Sequence, residues 1–173
     1  MDLELMNKTQ EQTEQPHPCR VRPAVAGDAD TIVAYNVALA DESEDIQLDP
    51  AVVAVGVRAV LDDPHRGRYF MAEIDGHLVG QAQITYEWSD WRAAWFWWLQ
   101  SVYVQPDHRR RGVFRSLYAH ITVEARERGN VCGLRLYVEG ENAAAIETYA
   151  RQGMQRTGYL MYAEDWSDVS GRG

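Results

Sequence analysis

The stretch Leu99–Leu117, LQSVYVQPDHRRRGVFRSL, decides the fold because three different kinds of segment follow one another in it. Its early run VYV is β-branched and aromatic, as at the end of a buried strand, and a proline-containing turn, QPD, follows. Apolar residues then recur at spacings of three and four, the pattern of one helix face: Phe114, Leu117, Tyr118, Ile121 and Ala125. The stretch therefore predicts a strand that leads through an arginine-rich turn into a helix.

The turn concentrates positive charge directly before the predicted helix. Arg109, Arg110, Arg111 and Arg115 surround Gly112, although the whole chain has a formal net charge of -9. The first N–H groups of a helix lack internal partners, and the helix dipole places partial positive charge there. Arginine adds charge-assisted bonds to phosphate, and glycine lets a phosphate approach the backbone. The pattern favours anion capture, with an ordinary solvated basic turn as the alternative.

The same residues resemble the acetyl-CoA-binding signature of the GNAT N-acetyltransferases, (Q/R)xxGx(G/A). Arg109 takes the first position, Gly112 the central glycine, and Phe114 stands where the family has a small residue, so we expect its side chain to point into the core. The resemblance covers residues 20–163 and implies a mixed α/β (α+β) fold, the GNAT acyl-CoA N-acyltransferase fold. In that fold a central, mixed, mostly antiparallel sheet is flanked by helices, and its strands splay apart at the cofactor site.

The resemblance implies acetyl-CoA as co-substrate and places it on this chain. Its pyrophosphate is expected on backbone N–H groups and side chains of the turn, and its pantetheine amides are expected to pair with the preceding strand, as an added strand would. The expected cofactor-binding residues are Val102, Tyr103, Val104, Arg109, Arg110, Arg111, Gly112, Val113, Phe114, Arg115 and Asn142. Backbone N–H groups near Val102 or Tyr103 are the expected donors to the developing oxyanion.

A second segment, LRLYVEGENAAAIETYARQGM, looks like the C-terminal half of the family core. By that resemblance Tyr149 is the expected general acid for the leaving thiolate; the alternative is a tyrosine packed over the cofactor. Asn142 is expected to cap the helix and to bond the pantetheine. For the base we single out Glu87, with Asp90, Glu42 and Glu44 as alternatives, because a carboxylate or a water chain must help an alkylammonium lose its proton.

Length and composition suit one globular domain of 173 residues, with 46% hydrophobic and 25% charged residues. We expect a mobile N-terminal tail over residues 1–19, a single acetyltransferase domain over 20–164 and a C-terminal tail over 165–173. The N-terminus has no apolar signal-peptide core, and no apolar run is long enough to span a bilayer, so the expected location is the cytoplasm without membrane contact.

The net charge and the spacing of the cysteines and histidines limit the classes of ligand and partner. The two cysteines form no CxxC pair and the five histidines show no ligand spacing, so we expect no metal. A net charge of -9 argues against nucleic acid, whose binding requires many phosphate contacts. The acidic balance instead favours a cationic amine acceptor, and a homodimer is left open.

Periodicity and turn signals predict the elements in order. Asp28 is expected to cap the first helix, Asp49-Pro50 to start the second, and Asp75-Gly76 to form a hairpin turn. Strands are predicted at 20–22, 68–74, 77–86, 94–104, 134–138 and 157–163, helices at 28–40, 50–62, 113–128 and 143–152, and loops at the acidic run 41–45 and at 87–92. Within 94–104, alternation puts Trp95 and Trp97 on one face and Phe96 and Trp98 on the other. These rings either pack in the core or form a pocket wall that faces a cation.

Three functions are compatible with these residues. The leading hypothesis is an N-acetyltransferase that moves acetyl from acetyl-CoA directly to a primary amine of a small molecule or protein in a ternary complex, since neither cysteine lies in a nucleophile motif. The alternative is a non-catalytic regulatory module that senses acyl-CoA and needs no base. Nucleic-acid binding through the arginine turn conflicts with the net charge.

Overall fold

The computed structural model describes residues 19–164 and Trp166. Five strands form one sheet in the order β1-β2-β3-β4-β5, and every neighbouring pair is antiparallel except β4 and β5, which are parallel. The strands are β1 (Arg20–Pro23), β2 (Arg68–Ile74), β3 (His77–Ser89), β4 (Ala94–Val104) and β5 (Val131–Leu136). The predicted mixed, mostly antiparallel sheet flanked by helices is confirmed.

Helices cover both faces of this sheet. Helix α3 (Val113–Glu127) packs with Phe70, Ile84 and Trp97 on one face, and α1 (Ala29–Glu44) and α2 (Pro50–Asp62) pack with Tyr69, Met71 and Tyr103 on the other. Helix α4 (Ala143–Arg151) follows β5. Among the described residues, no helix has the length and apolar character needed to cross a membrane.

Local signals set several boundaries as predicted. The Asp49 carboxylate accepts a hydrogen bond from the Ala51 N–H at 2.8 Å and Pro50 follows it, so α2 begins with a side-chain cap. Asp75 and Gly76 both have positive φ angles, 53° and 77°, as a type I′ hairpin turn requires. Strand β4 has the predicted bounds, with Trp97 in the core beneath α3 and Phe96 and Trp98 contacting Arg135 on the opposite face.

Three boundary predictions are wrong. The acidic run is not a loop: Asp41–Glu44 form the last turn of α1, which ends at Asp45 with a left-handed φ of 55°. Residues 87–89 continue β3, because Trp88 packs edge-on against Trp95 of the paired strand. Strand β5 covers Val131–Leu136 rather than 134–138, since Val131 already pairs with Trp95, and Gly133 fits against Phe96, where a Cβ would lie 3.0 Å from the ring.

The chain ends differ from expectation where the structure describes them. Residues 157–163 form no strand, and Tyr159, Leu160, Met161 and Tyr162 are all at least two-thirds exposed, so no neighbouring strand covers them. Cys19, placed in the expected tail, packs against the core beneath α3. Residues 1–18 and the expected C-terminal tail, apart from Trp166, lie outside the described residues.

Asp28 stabilises the start of α1 in another way than predicted. Its carboxylate makes no cap bond to α1 but accepts hydrogen bonds from the Val25 N–H at 2.8 Å and from both terminal nitrogens of Arg22 at 2.7 and 2.9 Å. The bond from Arg22 is the main reason that the pKa of Asp28 is lowered, against the opposing effect of burial. This buried carboxylate therefore ties β1 to the turn before α1.

Asp28→Asn should lower the free energy of unfolding at pH 7 by about 2 kcal/mol, because it removes a charged acceptor of three hydrogen bonds. Since the folded pKa lies below the unfolded value of about 3.9, the carboxylate stabilises the fold above about pH 4, and this contribution disappears as pH falls through the lowered pKa. Urea unfolding from pH 3 to 7 measures it. The exposed Asp30→Asn is the matched control, and equal stability of both variants would contradict the assignment.

Candidate active site

Strand β4 leaves one edge open at its C-terminal end. Its parallel pairing with β5 stops at Leu99, which pairs with Leu136, whereas its pairing with β3 continues to Val104. Between the pairs Gln83–Gln100 and Gln81–Tyr103, β4 carries one residue more than β3, which is a bulge, and Ser101 has a positive φ of 46° there. Among the described strands, none but β3 pairs with Val102, Tyr103 and Val104, so the side from which β5 has diverged is an open strand edge, on which the Val104 carbonyl is bonded by a side chain of the following turn.

The arginine turn follows this open edge directly. A short 3₁₀ turn, Pro106–His108, leads to Arg110 and Gly112, whose φ angles are 61° and 84°. Gly112 is the N-cap of α3 and has no side-chain bond to the helix, and the first intrahelical N–H bond is donated by Ser116. The N–H groups of Val113, Phe114 and Arg115 thus form an uncapped helix start beside three arginines, as an anion site requires.

Arg109 holds this turn against both β4 and α1. Its Nε donates to the Val104 carbonyl oxygen at 2.9 Å, and its Nη2 forms an ion pair with Glu42 near the end of α1. The Tyr103 hydroxyl donates to the same carboxylate at 2.8 Å. The Arg109 hydrogen bond is the main cause that lowers the pKa of Glu42, while burial raises the pKa of Tyr103. Glu42 therefore forms an ion pair with Arg109, the guanidinium that the resemblance assigns to the cofactor.

Tyr149 lies beside the first turn of α3. Its ring meets that of Phe114 edge-on at a centroid distance of 5.4 Å, and burial raises the pKa of its phenol. Phe114 itself is half-buried and contacts Tyr118 and Tyr149, so it does not enter the core as expected; Val113 does. The large residue at the small position of the signature thus places Tyr149 next to the arginine turn.

Asn142 caps α4, as predicted. Its Oδ1 accepts a hydrogen bond from the Ala145 N–H at 3.0 Å. Because the cap uses the carbonyl oxygen, a bond from this side chain to a pantetheine amide would come from its Nδ2 group. Pantetheine binding by Asn142 stays a prediction.

Glu87 belongs to a cluster on the sheet face opposite α3. Its carboxylate accepts hydrogen bonds from Trp98 Nε1 at 2.6 Å and from Arg135 Nη1 at 2.8 and 3.0 Å. The Arg135 guanidinium also lies 3.6 Å from the ring centroid of Phe96, so the cation facing these aromatic rings is the chain's own arginine. Glu87 pairs with Phe96, five residues along β4 from Ser101, or about 17 Å at 3.3 Å per residue.

A buried polar network that the sequence analysis missed lies under the bulge. Gln81, fully buried, donates from Nε2 to Asn36 Oδ1 at 2.7 Å and to the Ser101 carbonyl at 3.3 Å. Asn36 Nδ2 donates to the Tyr69 hydroxyl at 3.2 Å, and Ser101 donates to Gln83 Oε1 at 3.4 Å. The available signal was a pair of glutamines at alternate positions, Gln81 and Gln83, in the stretch of β3 that is buried.

Two cavities of ligand size adjoin the sheet. One, of about 420 Å³, lies between α1, α2 and the sheet, and its wall includes Ser101 at the bulge and Glu44 at the end of α1. The other, of about 510 Å³, lies between α3 and β5, away from the bulge. Of the four acids considered as a base, Glu44 is the one that lines the cavity at the bulge. In the described residues we find no grouping of three or more His, Cys, Asp or Glu side chains suited to a metal ion.

The chain is similar to known acetyltransferases in family model, sequence and fold. The model of the Acetyltransferase (GNAT) family matches residues 14–154. Streptothricin acetyltransferase of Streptomyces lavendulae is 38% identical over 79 residues, which are 46% of this chain and 39% of that protein. The aligned part therefore spans well under half the length of that curated relative.

Solved structures match over most of the chain. A possible acetyltransferase from Clostridium difficile 630 is 41% identical with a TM-score of 0.80, and the match covers 85% of this chain and 97% of that one. A predicted acetyltransferase from Clostridium acetobutylicum, solved with acetyl-CoA, is 16% identical with a TM-score of 0.68 and covers 85% and 96%. At 16% identity the second likeness shows the fold alone.

Glu42→Gln should lower the Kd of coenzyme A about two- to fivefold, because it removes a carboxylate that competes with phosphate for Arg109 at a largely solvated ion pair. Isothermal titration calorimetry measures the affinity. The control is Asp45→Asn, which removes one negative charge at the end of the same helix and keeps a side chain that tolerates a left-handed φ. A weaker affinity in Glu42→Gln alone would instead make Glu42 part of the cofactor grip.

Proposed function

The chain belongs to the GNAT acetyltransferase family, as its motifs predicted, and we propose that it transfers acetyl from acetyl-CoA directly to a primary amine. The observation that carries the proposal is the open edge of β4 directly before the uncapped N-terminus of α3. A strand edge suits the two amides of a pantetheine arm, and a helix start rich in arginine suits a diphosphate.

In the proposed complex the pyrophosphate lies on the N–H groups of Gly112 to Arg115, with Arg110 and Arg111 supplying charge. The pantetheine amides pair with Val102 to Val104, and the thioester then lies near the bulge at Ser101. Backbone N–H groups near Val102 or Tyr103 donate to the carbonyl oxygen as it becomes anionic. The acyl carbon is thereby held next to the cavity between α1, α2 and the sheet.

The chemical step forms one C–N bond and breaks one C–S bond. The amine nitrogen attacks the acetyl carbon, the amine loses a proton, and coenzyme A leaves as a thiolate that must gain one. Tyr149 donates that proton in our proposal, since a phenol is protonated at neutral pH. The phenol then recovers its proton from solvent.

Whether the site has a working base distinguishes acetyl transfer from cofactor binding without turnover. Glu42 is bound by Arg109 and Tyr103, and Glu87 by Arg135 and Trp98, so both carboxylates are engaged in the fold. This engagement favours Glu44 through water for proton removal; without a working base, the alternative is a regulatory module that binds acyl-CoA without turnover. The discriminating assay is thiol release from acetyl-CoA with a panel of amines, amino acids, polyamines and peptides. Tight coenzyme A binding without thiol release would favour the module.

Gly112→Glu should abolish binding of coenzyme A under either function, because the new side chain adds negative charge at the phosphate position. The positive φ of 84° also strains any residue other than glycine, so Gly112→Ala serves as the control for backbone strain without charge. Calorimetric titration at millimolar coenzyme A, with thermal melting to verify folding, measures the effect. A folded Gly112→Glu protein that still binds would place the phosphate elsewhere.

Tyr149→Phe should lower kcat about 10²-fold and leave the Kd of coenzyme A unchanged, because only the proton donor is lost. Tyr118→Phe is the matched control, since Tyr118 also contacts Phe114 but has no proposed role. Steady-state thiol release gives kcat, and calorimetry gives Kd. Unchanged turnover in Tyr149→Phe would remove it as the acid and leave it a packing residue.

Glu87→Gln tests the base against a role in packing. If Glu87 were the base, kcat would fall about 10²-fold and the acidic limb of the pH–rate profile would disappear. Given its contacts with Trp98 and Arg135, we expect instead a lower melting temperature and an unchanged profile. A lost acidic limb with unchanged stability would reinstate Glu87 as the base.

A further inference from the structure

We propose that the cavity between α1, α2 and the sheet selects a compact acceptor with a single amino group on an apolar body. This inference rests on the proposed function, since it assigns the acceptor of the same reaction. The cavity volume of about 420 Å³ falls at the lower end of small-ligand pockets, which run from about 300 to 1,000 Å³. A compact acceptor fits this volume.

The two ends of the cavity differ in chemistry. Asn36, Tyr69, Gln83 and Ser101 line the end at the bulge, where the thioester is proposed to lie. The side chains at this end are uncharged, and Asn36, Gln83 and Ser101 are already held by the buried network. An amine nitrogen placed among them meets hydrogen-bonding groups in fixed positions but no carboxylate.

The absence of a carboxylate from this group has a chemical effect on the amine. Burial without a counter-ion disfavours the charged form, so an ammonium that enters loses its proton more readily than in water. The neutral end of the cavity thus favours the nucleophilic free amine, with a smaller demand on any single base. Glu44, exposed at the end of α1, lines the same cavity and can accept the released proton through water.

Apart from Glu44, which is exposed at the end of α1, the rest of the wall is apolar. Leu39 on α1, Leu48 before α2, and Val53, Val57 and Val60 on α2 supply aliphatic surface. Each Å² of apolar surface removed from water contributes about 25 cal/mol, so an aliphatic or aromatic body is favoured there. A second ammonium held against these aliphatic side chains, away from Glu44 at the exposed edge, would be desolvated without a partner and is disfavoured.

Gly56 provides a way to test the cavity without damaging the fold. It lies three residues after Val53 and four before Val60, hence on the same helix face, and it lines the cavity. A Cβ built there meets nothing within 4 Å, and its φ is not positive. Replacing glycine inside a helix also favours the helix, so Gly56→Leu should fold at least as well as the parent while filling the cavity.

The experiment compares two amines of equal length, n-hexylamine and 1,5-diaminopentane, which differ by a terminal methyl against a second amino group. We expect kcat/KM for hexylamine to exceed that for the diamine at least tenfold. Gly56→Leu should raise KM for hexylamine at least tenfold, with unchanged Kd for coenzyme A and no lower melting temperature. Val55→Leu, which enlarges an exposed position of the same helix, is the control and should change nothing.

Each outcome bears on one of the two proposals. Equal or better use of the diamine, or an unchanged KM in Gly56→Leu, overturns the acceptor assignment while acetyl transfer itself stands. No transfer to either amine or to any member of the wider panel, despite coenzyme A binding, overturns the enzymatic function and the acceptor assignment together.

Discussion

The rest of the site depends on the point at which β4 loses its parallel partner. Up to Leu99 the strand is bonded on both sides, and beyond it only β3 remains. The bulge at Ser101 adds one residue to β4 there, and the carbonyl of this residue is held by Gln81 from below. Because unsatisfied backbone groups are costly when buried, this edge must face solvent or a ligand with amides of its own. The candidate cofactor site follows from that requirement.

Contacts between distant parts of the chain then join the two halves of the site. Glu42 from the end of α1 receives hydrogen bonds from Tyr103 on β4 and Arg109 in the turn. The helix that lines the acceptor cavity is thereby attached to the turn that would hold phosphate. If Arg109 exchanged Glu42 for a phosphate, the end of α1 would lose this ion pair, and Glu44 in the same turn lines the cavity.

What the sequence could predict was local. The bounds of β4 follow from a long run that is apolar on both faces, and the start of α2 follows from a capping aspartate before a proline. The arginine turn was predictable because it is contiguous in the chain, whereas the open edge before it was expected only from the resemblance, since it depends on where β5 stops pairing. The cavity and the network of Asn36, Gln81 and Tyr69 were not, because they depend on residues of α1, β2 and β3 that meet only after packing.

The errors have the same origin. The acidic run 41–45 is polar enough for a loop, yet its last helical turn is stabilised by Arg109, far away in sequence. The run of apolar and aromatic residues at 159–162 suits a strand, but a strand forms only where the edge of a sheet accepts it. Glu87 was singled out as a base for its position before β4. Its ion pair with Arg135 on β5 could not be predicted from the residues around Glu87.

The single parallel pair in the sheet carries a topological consequence. Parallel neighbours cannot be joined by a tight hairpin, so the chain must return over one face of the sheet through a crossover, here helix α3, before it can enter β5. Because the crossover here is a helix, that helix starts beyond the carboxyl end of the first strand. The position of the proposed phosphate site thus follows from the connectivity, and point substitutions in the turn would change its chemistry without changing the sheet.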